Sequence, residues 1–493
     1  MADTLVAGTI DARMLIGGEW SAASNGALIE TLNPATGAVL GTIPDATRSD
    51  VDRAVAAAHA AAGAWRRLAP VARAEMVNRL AAAVEARSEE FAALDSAENG
   101  SLLTEMRRDI AAGVSALRYF AGLALQVRGE TLPGPTGEIT YTTRVPFGVV
   151  GRIVPFNHPF MFAASKIAAP LVAGNTVVLK PSEFTSLSAL LLADVANDIL
   201  PVGVFNVVTG AGPESGDALV SHPNVHRIAF TGSVATGLAI QRRAAERMVK
   251  TVSLELGGKN PLVVFPDADL DTVVDAAVRG MNFTWQGQSC GSLSRNLVHA
   301  SIYDEFVDRL AERVSALRPG LPDDPASQTG AIVNDRQLAK VLDYVRIGQE
   351  EGARLMTGGT RVVDGVLADG LFVRPAVFAD VAIDSRLAQE EIFGPVLSVT
   401  RFSDEHDAIR MANATQFGLT ASVFTQDLGI AHRFAESVDA GYVWVNEVSR
   451  HLPGAPYGGV KNSGIGREED LGELLSYTQT KSIHITYAHG SLR

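Results

Sequence analysis

Short apolar runs alternate with helical stretches through the middle of the chain. Val149-Val150-Gly151-Arg152-Ile153-Val154 is one such run, and 176–179, 205–208 and 227–230 repeat it. Between them, 165–173, 186–200 and 214–221 carry helical patterns. This alternation predicts a parallel sheet covered by helices. Ligands of such sheets bind beyond the carboxyl ends of the strands. Asn157, Lys180, Gly210 and Gly232 fall just after predicted strands, at that rim. A second α/β body follows. A helix at 271–283 carries Val274, Val278 and Met281, and a strand covers 296–299. A helix at 303–317 sets Phe306, Val307, Leu310 and Val314 at helical spacing, and strands recur at 397–400 and 442–445.

The first third opens on a β-like segment at 14–20. Ser49-Asp50-Val51-Asp52 resembles a capping box ahead of an alanine-rich helix that reaches Trp65. Helices are also expected at 70–87 and 89–98. Pro133, Gly134, Pro135 and Gly137 then punctuate the chain before a strand at 139–145, the pattern of a protruding hairpin. The β-rich stretch 481–487 can pair with it or with another subunit. Exposed hairpin edges favour pairing between chains, so a homodimer or homotetramer is expected.

Composition narrows the class. At roughly 150 residues per domain, 493 residues suggest about three domains. Apolar content of 47% and charged content of 20% fit a globular protein. No apolar run approaches the ~18 residues of a membrane span. Residues 1–11 are acidic and lack a long apolar core, so they do not read as a signal peptide. The net charge of −13 is spread along the chain, which argues against nucleic-acid or anionic-membrane partners. A single cysteine fits a reducing compartment. A cytoplasmic location is expected.

That cysteine, Cys290, sits in Gly287-Gln288-Ser289-Cys290-Gly291, and Glu255 stands upstream in Glu255-Leu256-Gly257-Gly258-Lys259. An attacking thiol and a carboxylate that activates water would make a covalent catalyst. The bland readings are a small core cysteine and a solvated glutamate. The same five residues match the Gly-x-Ser-x-Gly elbow, which would make Ser289 a hydrolase nucleophile, but the elbow needs a strand before it and a helix after it. The loop Gly210-Ala211-Gly212-Pro213-Glu214-Ser215-Gly216 is one residue too long for a dinucleotide fingerprint. No phosphate-binding Walker loop and no paired cysteine or histidine spacing for a metal is present, so no metal is expected.

Taken together, Pro155-Phe156-Asn157, Lys180-Pro181-Ser182-Glu183, Phe230-Thr231-Gly232-Ser233, Glu255 to Lys259, Gly287 to Cys290, Glu391-Ile392-Phe393-Gly394-Pro395 and 456–466 resemble the aldehyde dehydrogenase superfamily in order and spacing. The resemblance runs from Ile16-Gly17-Gly18-Glu19-Trp20 to the C-terminal hairpin. It implies an α/β fold in three parts. Residues 1–123 and 147–257 would form a Rossmann-like NAD-binding domain, and 258–462 a catalytic α/β domain. Residues 124–146 and 478–493 would form a β-hairpin oligomerisation element, with 463–477 packing back on the NAD-binding domain.

The implied mechanism makes Cys290 the nucleophile and puts the Asn157 amide and the Cys290 N–H in the oxyanion hole. Glu255 activates water, and Glu468 assists that step or the proton relay. The implied cofactor residues are Lys180 and Glu183 on the adenosine ribose, Gly232 and Ser233 at the pyrophosphate, and Glu391, Phe393 and Phe156 around the nicotinamide ribose. Glu183 would repel a 2′-phosphate, which predicts NAD over NADP. The substrate tunnel would be lined by His158, Phe162, Ser165, Arg450 and His451. Phe156 stands where the family commonly has tryptophan, His158 where it has an aromatic or aliphatic residue, and Ser165 where a bulky aromatic is common. These departures imply a wider, more polar tunnel for bulky, polar or anionic aldehydes. A CoA-acylating relative, the serine hydrolase and a nonenzymatic role on this scaffold are the competing expectations.

Overall fold

The computed structural model describes residues 10–487. Most of the 1–11 segment, and residues 488–493 of the C-terminal element, lie outside the described residues. At the centre of one sheet, five parallel strands run in the spatial order Thr251–Glu255, Val225–Thr231, Val149–Ile153, Thr176–Lys180, Phe205–Val207. Val149, Val150, Val177, Val178 and Leu179 are buried, as expected of strands covered on both faces. The register pairs Thr231 with Glu255, Phe230 with Ile153 and Ile153 with Lys180. The carboxyl ends of four strands therefore lie level and form one rim. Gly464–Ile465 adds antiparallel at one edge, beside Glu255 itself, and Met14–Ile16 adds at the other.

The helix after the central strand, Pro159–Ala173, begins six residues earlier than its apolar pattern predicts. Pro159 opens it, where a missing N–H costs nothing, and Gly174 ends it at φ 95° in the left-handed region. The helix Arg48–Arg67 also starts earlier than expected. Its reciprocal box is Thr47 with Asp50, not Ser49 with Asp52. The sequence reading leaves out Leu103–Gly122, a 20-residue helix whose Met106, Ile110, Val114, Leu117 and Phe120 are buried. It packs tightly on Pro159–Ala173: a Cβ at Gly113 would sit 2.8 Å from the Phe160 ring.

A second sheet of seven strands carries Pro261–Val264, Arg295–His299 and Val396–Phe402 near its middle, all parallel. The third element is antiparallel: Thr478–Thr486 pairs with Glu138–Pro146 along nine residues, and Thr131–Leu132 covers the other side. Thr478–Thr486 is left as an edge strand. Among the described residues no helix is long and apolar enough to cross a membrane.

Candidate active site

Cys290 lies on a loop between the turn Phe283–Trp285 and the strand Arg295–His299. Gln286 and Gly287 reverse the chain there at φ 55° and 66°. The Asn260 amide donates to the Cys290 carbonyl at 2.7 Å and to the Ser292 carbonyl at 3.0 Å, clamping the loop. Two glycines bring the Glu255 segment against it. A Cβ at Gly258 would lie 2.8 Å from the Cys290 carbonyl oxygen, and one at Gly257 would lie 2.1 Å from Glu391 Oε2. Only residues without a side chain allow that approach. The elbow reading of Ser289 fails on geometry, because a turn precedes the residue and a strand follows it.

Cys290 and Glu255 both stand on the wall of one cavity of about 420 Å³. His158, Phe162, Ser165 and His451 line it too. Arg450 does not. The Trp444 indole N–H donates to the Arg450 carbonyl at 2.8 Å, and the arginine lines a neighbouring groove with Arg108 and Arg279. Its expected place in the tunnel is corrected accordingly. Asn157 is buried in the loop just before His158. The Asn99 amide donates to its carbonyl at 3.2 Å, and its Oδ1 has no partner among the described residues.

The charges on this wall are unequal in character. Glu255 is buried, and neither carboxylate oxygen has a hydrogen-bond partner among the described residues. Burial, reinforced by the negative Glu468, pushes its carboxyl well above the ordinary range. Burial also pushes the Cys290 thiol up to about 12, with Glu391 and Glu255 adding to it and the Tyr457 hydroxyl donating against it. Glu468 is the opposite case. Burial alone would raise it, but Arg152 Nη2 at 2.6 Å and Lys166 Nζ at 2.5 Å outweigh that and hold it at about 2. A carboxylate so held stays ionised at neutral pH. The geometry sets Glu468, paired with two buried cations, as a negative neighbour of Glu255.

Glu468→Gln should accordingly have two effects. It leaves two buried cations facing a neutral amide, a change expected to cost about 3–5 kcal/mol. It also removes the negative neighbour of Glu255, so the pH at which Glu255 ionises should fall. Denaturant unfolding and the pH profile of turnover check the two effects separately. An unchanged midpoint with an unchanged profile would contradict both.

The remaining candidates fall on the strand-end rim and beside the Cys290 loop. Lys180 ends its strand, buried, with Nζ 3.5 Å from Glu183. Burial draws its ammonium below the usual lysine range, and Glu183 opposes the shift. The Gly232 N–H donates to the Glu255 carbonyl at 2.9 Å. Ser233 caps the helix Val234–Ala245 by accepting from the Thr236 N–H at 3.3 Å. Glu391 Oε1 accepts from the Gly258 N–H at 3.0 Å, and burial raises its carboxyl. Phe393 sits at φ 60°, held by the Gln337 amide on its carbonyl at 2.8 Å, and meets Phe156 edge to face at 5.7 Å.

Several residues of the site are not evident in the sequence. Lys166 and Arg152 are both paired with Glu468, some 300 positions away, and Lys166 also lines the cavity. Asp109 and Tyr119 arrive on the unread helix Leu103–Gly122, whose regular apolar spacing is the signal that would have revealed it.

The sequence profile described as "Aldehyde dehydrogenase family" matches residues 20–483. The aldehyde dehydrogenase tropH of Talaromyces stipitatus is 47% identical over 475 residues, covering 95% of this chain and 92% of its own. A betaine aldehyde dehydrogenase from Staphylococcus aureus, solved in complex with NAD+, superposes with a TM-score of 0.96 at 34% identity, covering 99% of this chain and 97% of that one. An aldehyde dehydrogenase from Bacillus cereus, solved as a point mutant, gives a TM-score of 0.95 at 38% identity, with coverages of 99% and 98%.

Proposed function

The chain belongs to the aldehyde dehydrogenase family, and from that premise we propose that it oxidises an aldehyde to its acid with NAD, through a thiohemiacetal and a thioester on Cys290. The observation that carries this reading is the shared cavity wall of Cys290 and Glu255. The Cys290 sulfur adds to the aldehyde carbon, and its proton leaves to a base in the cavity. The Asn157 amide and the Cys290 N–H receive the oxygen that becomes negative. Preorganised donors of this kind are worth about 3–4 kcal/mol each. Loss of hydride from that carbon leaves the thioester. Glu255 then takes a proton from water, the water oxygen attacks the acyl carbon, and the acid leaves as the thiol re-forms.

The level strand ends fit a dinucleotide: Lys180 and the Ser233 helix start flank the central strand that leads into Phe156. When bound, NAD supplies the hydride acceptor. Lys180 and Glu183 would hold its adenosine ribose, and the N–H groups around Gly232 and Ser233 its pyrophosphate. Glu391 would hold the second ribose, beside Phe393 and Phe156. Glu183 opposes a 2′-phosphate by like charge. NAD should therefore surpass NADP by at least about tenfold in kcat/KM, the equivalent of about 1.4 kcal/mol.

The experiment is NADH formation from aliphatic, aromatic and carboxylate-bearing aldehydes, with NAD or NADP and without CoA. Turnover without CoA favours hydrolysis over acyl transfer, the outcome for which Glu255 is placed. Absence of turnover with either cofactor across the panel would contradict the reading. Among substrates, neutral polar aldehydes fit best. Five acidic side chains (Asp109, Glu255, Glu468, Glu469 and Glu473) line the cavity against the cations Arg108 and Lys166, and burial raises the carboxyls of Glu255 and Glu473 in the absence of further positive charge. Anionic aldehydes are therefore disfavoured.

The free edge of Thr478–Thr486 is read as the assembly surface of a homodimer or homotetramer. Sedimentation at micromolar concentration should show no monomer; a wholly monomeric protein would overturn that part.

A further inference from the structure

One polar pair in the cavity has no part in the steps above. His158 Nδ1 lies 2.7 Å from Asp109 Oδ2, and both residues are buried. The Trp285 indole N–H donates to the same carboxylate oxygen at 3.4 Å. The imidazole is packed edge to face on Phe162 at 5.4 Å and tilted against Trp285 at 5.6 Å. Its orientation is thus fixed by one charged hydrogen bond and two aromatic walls. Nε2 has no hydrogen-bond partner among the described residues, and His158 lines the cavity that holds Cys290. The pair thus holds an oriented imidazole whose second nitrogen is left without a protein partner on the cavity wall, and a ligand that shuts this nitrogen off from water must bring a partner for it.

We propose that the His158–Asp109 pair is a substrate-recognition site that presents imidazole Nε2 to a hydroxyl group on an aromatic aldehyde. The hydroxyl follows from the chemistry of Nε2. With Nδ1–H donated to Asp109, a neutral ring offers Nε2 as an acceptor, and a protonated ring offers it as a donor. A hydroxyl answers either state. A carboxylate answers only the charged one, and it would enter a cavity whose wall already carries a surplus of acidic side chains. The aromatic body follows from the rings of Phe162, Trp285, Phe120 and Trp444, which line the same cavity. Asp109 is a positioning residue: it orients the ring without touching the ligand. The proposal deepens the dehydrogenase reading and rests on it only for the aldehyde end of the ligand.

Calorimetric binding of benzyl alcohol and of 2-, 3- and 4-hydroxybenzyl alcohol tests it without turnover. In the wild type at least one hydroxylated isomer should bind about tenfold more tightly than benzyl alcohol, the value of one good hydrogen bond to a positioned group. His158→Phe should bring that ratio to about one, and His158→Gln, which keeps a polar end, should retain part of it. Asp109→Asn, which preserves shape, should lower the ratio at least threefold, so the test does not depend on whether phenylalanine is tolerated. A general loosening of the fold would weaken all four ligands alike and leave the ratio unmoved.

Equal affinity for all four alcohols in the wild type would overturn the proposal. So would an unchanged ratio in both His158→Phe and Asp109→Asn. NADH formation from the corresponding benzaldehydes judges the dehydrogenase reading separately. A hydroxyl preference in binding without any NADH would sink that reading and support this one.

Discussion

Cys290→Ala removes turnover: kcat/KM for any accepted aldehyde should fall by roughly 10⁴–10⁶-fold, the loss seen when an enzyme is deprived of its nucleophile. Nothing else in the chain can replace the lost group, because Cys290 is its only cysteine. The same fact supplies a control. The wild type should consume one equivalent of a thiol reagent per chain, and the variant none. The loop itself should survive the change, because the Asn260 clamp acts on the carbonyl of residue 290 and not on its sulfur. Normal unfolding behaviour together with absent NADH would therefore localise the loss to chemistry. The thiol also sets the pH dependence. Burial holds it at about 12, so the thiolate fraction rises about tenfold per pH unit below that value. In the resting enzyme kcat/KM should climb with pH through the neutral range. A flat profile would mean that the attacking sulfur is already ionised.

The second large effect is expected at Glu255. Glu255→Gln should lower steady-state turnover by about 10²–10⁴-fold, the usual contribution of a positioned general base, while leaving a rapid first turnover. The variant still attacks and still loses hydride, then stalls at the thioester. One equivalent of NADH per active site should appear as a burst, followed by a slow phase. The sign of the pH effect follows from the raised carboxyl. Only its ionised form takes a proton from water, so wild-type deacylation should increase as pH rises through that elevated value. In Glu255→Gln this limb should vanish. Loss of the burst together with the slow phase would instead assign Glu255 to the attack step.

What the sequence made legible and what it hid follow from the range of the interactions. The parallel sheet was readable because strands buried on both faces must be continuous apolar runs, as Val149–Ile153 and Thr176–Lys180 are. Cys290 and Glu255 stand out in the sequence because glycines crowd them; the structure sets both on one cavity wall, and the distances at Gly257 and Gly258 show why those glycines are needed. The clamp on Glu468 was not readable. Lys166 sits among alanines on Pro159–Ala173 and Arg152 sits inside an apolar strand, and neither position announces a partner far along the chain. The His158–Asp109 pair was hidden for the same reason, since it joins a loop to a helix left out of the sequence reading. Arg450 went astray through its neighbours. It adjoins His451, which does line the cavity, but the bond from Trp444 to its carbonyl belongs to a turn that carries the arginine to the next groove.

The central claim is an acyl group carried on Cys290, and it can be weighed directly. Glu255→Gln would be mixed with NAD and an accepted aldehyde, quenched in acid and digested, and the peptide holding Cys290 examined by mass spectrometry. The account predicts that this peptide gains the mass of the aldehyde less two hydrogens, in amounts matching the NADH formed, and that Cys290→Ala gains nothing. NADH released in the burst with an unmodified Cys290 peptide would contradict it.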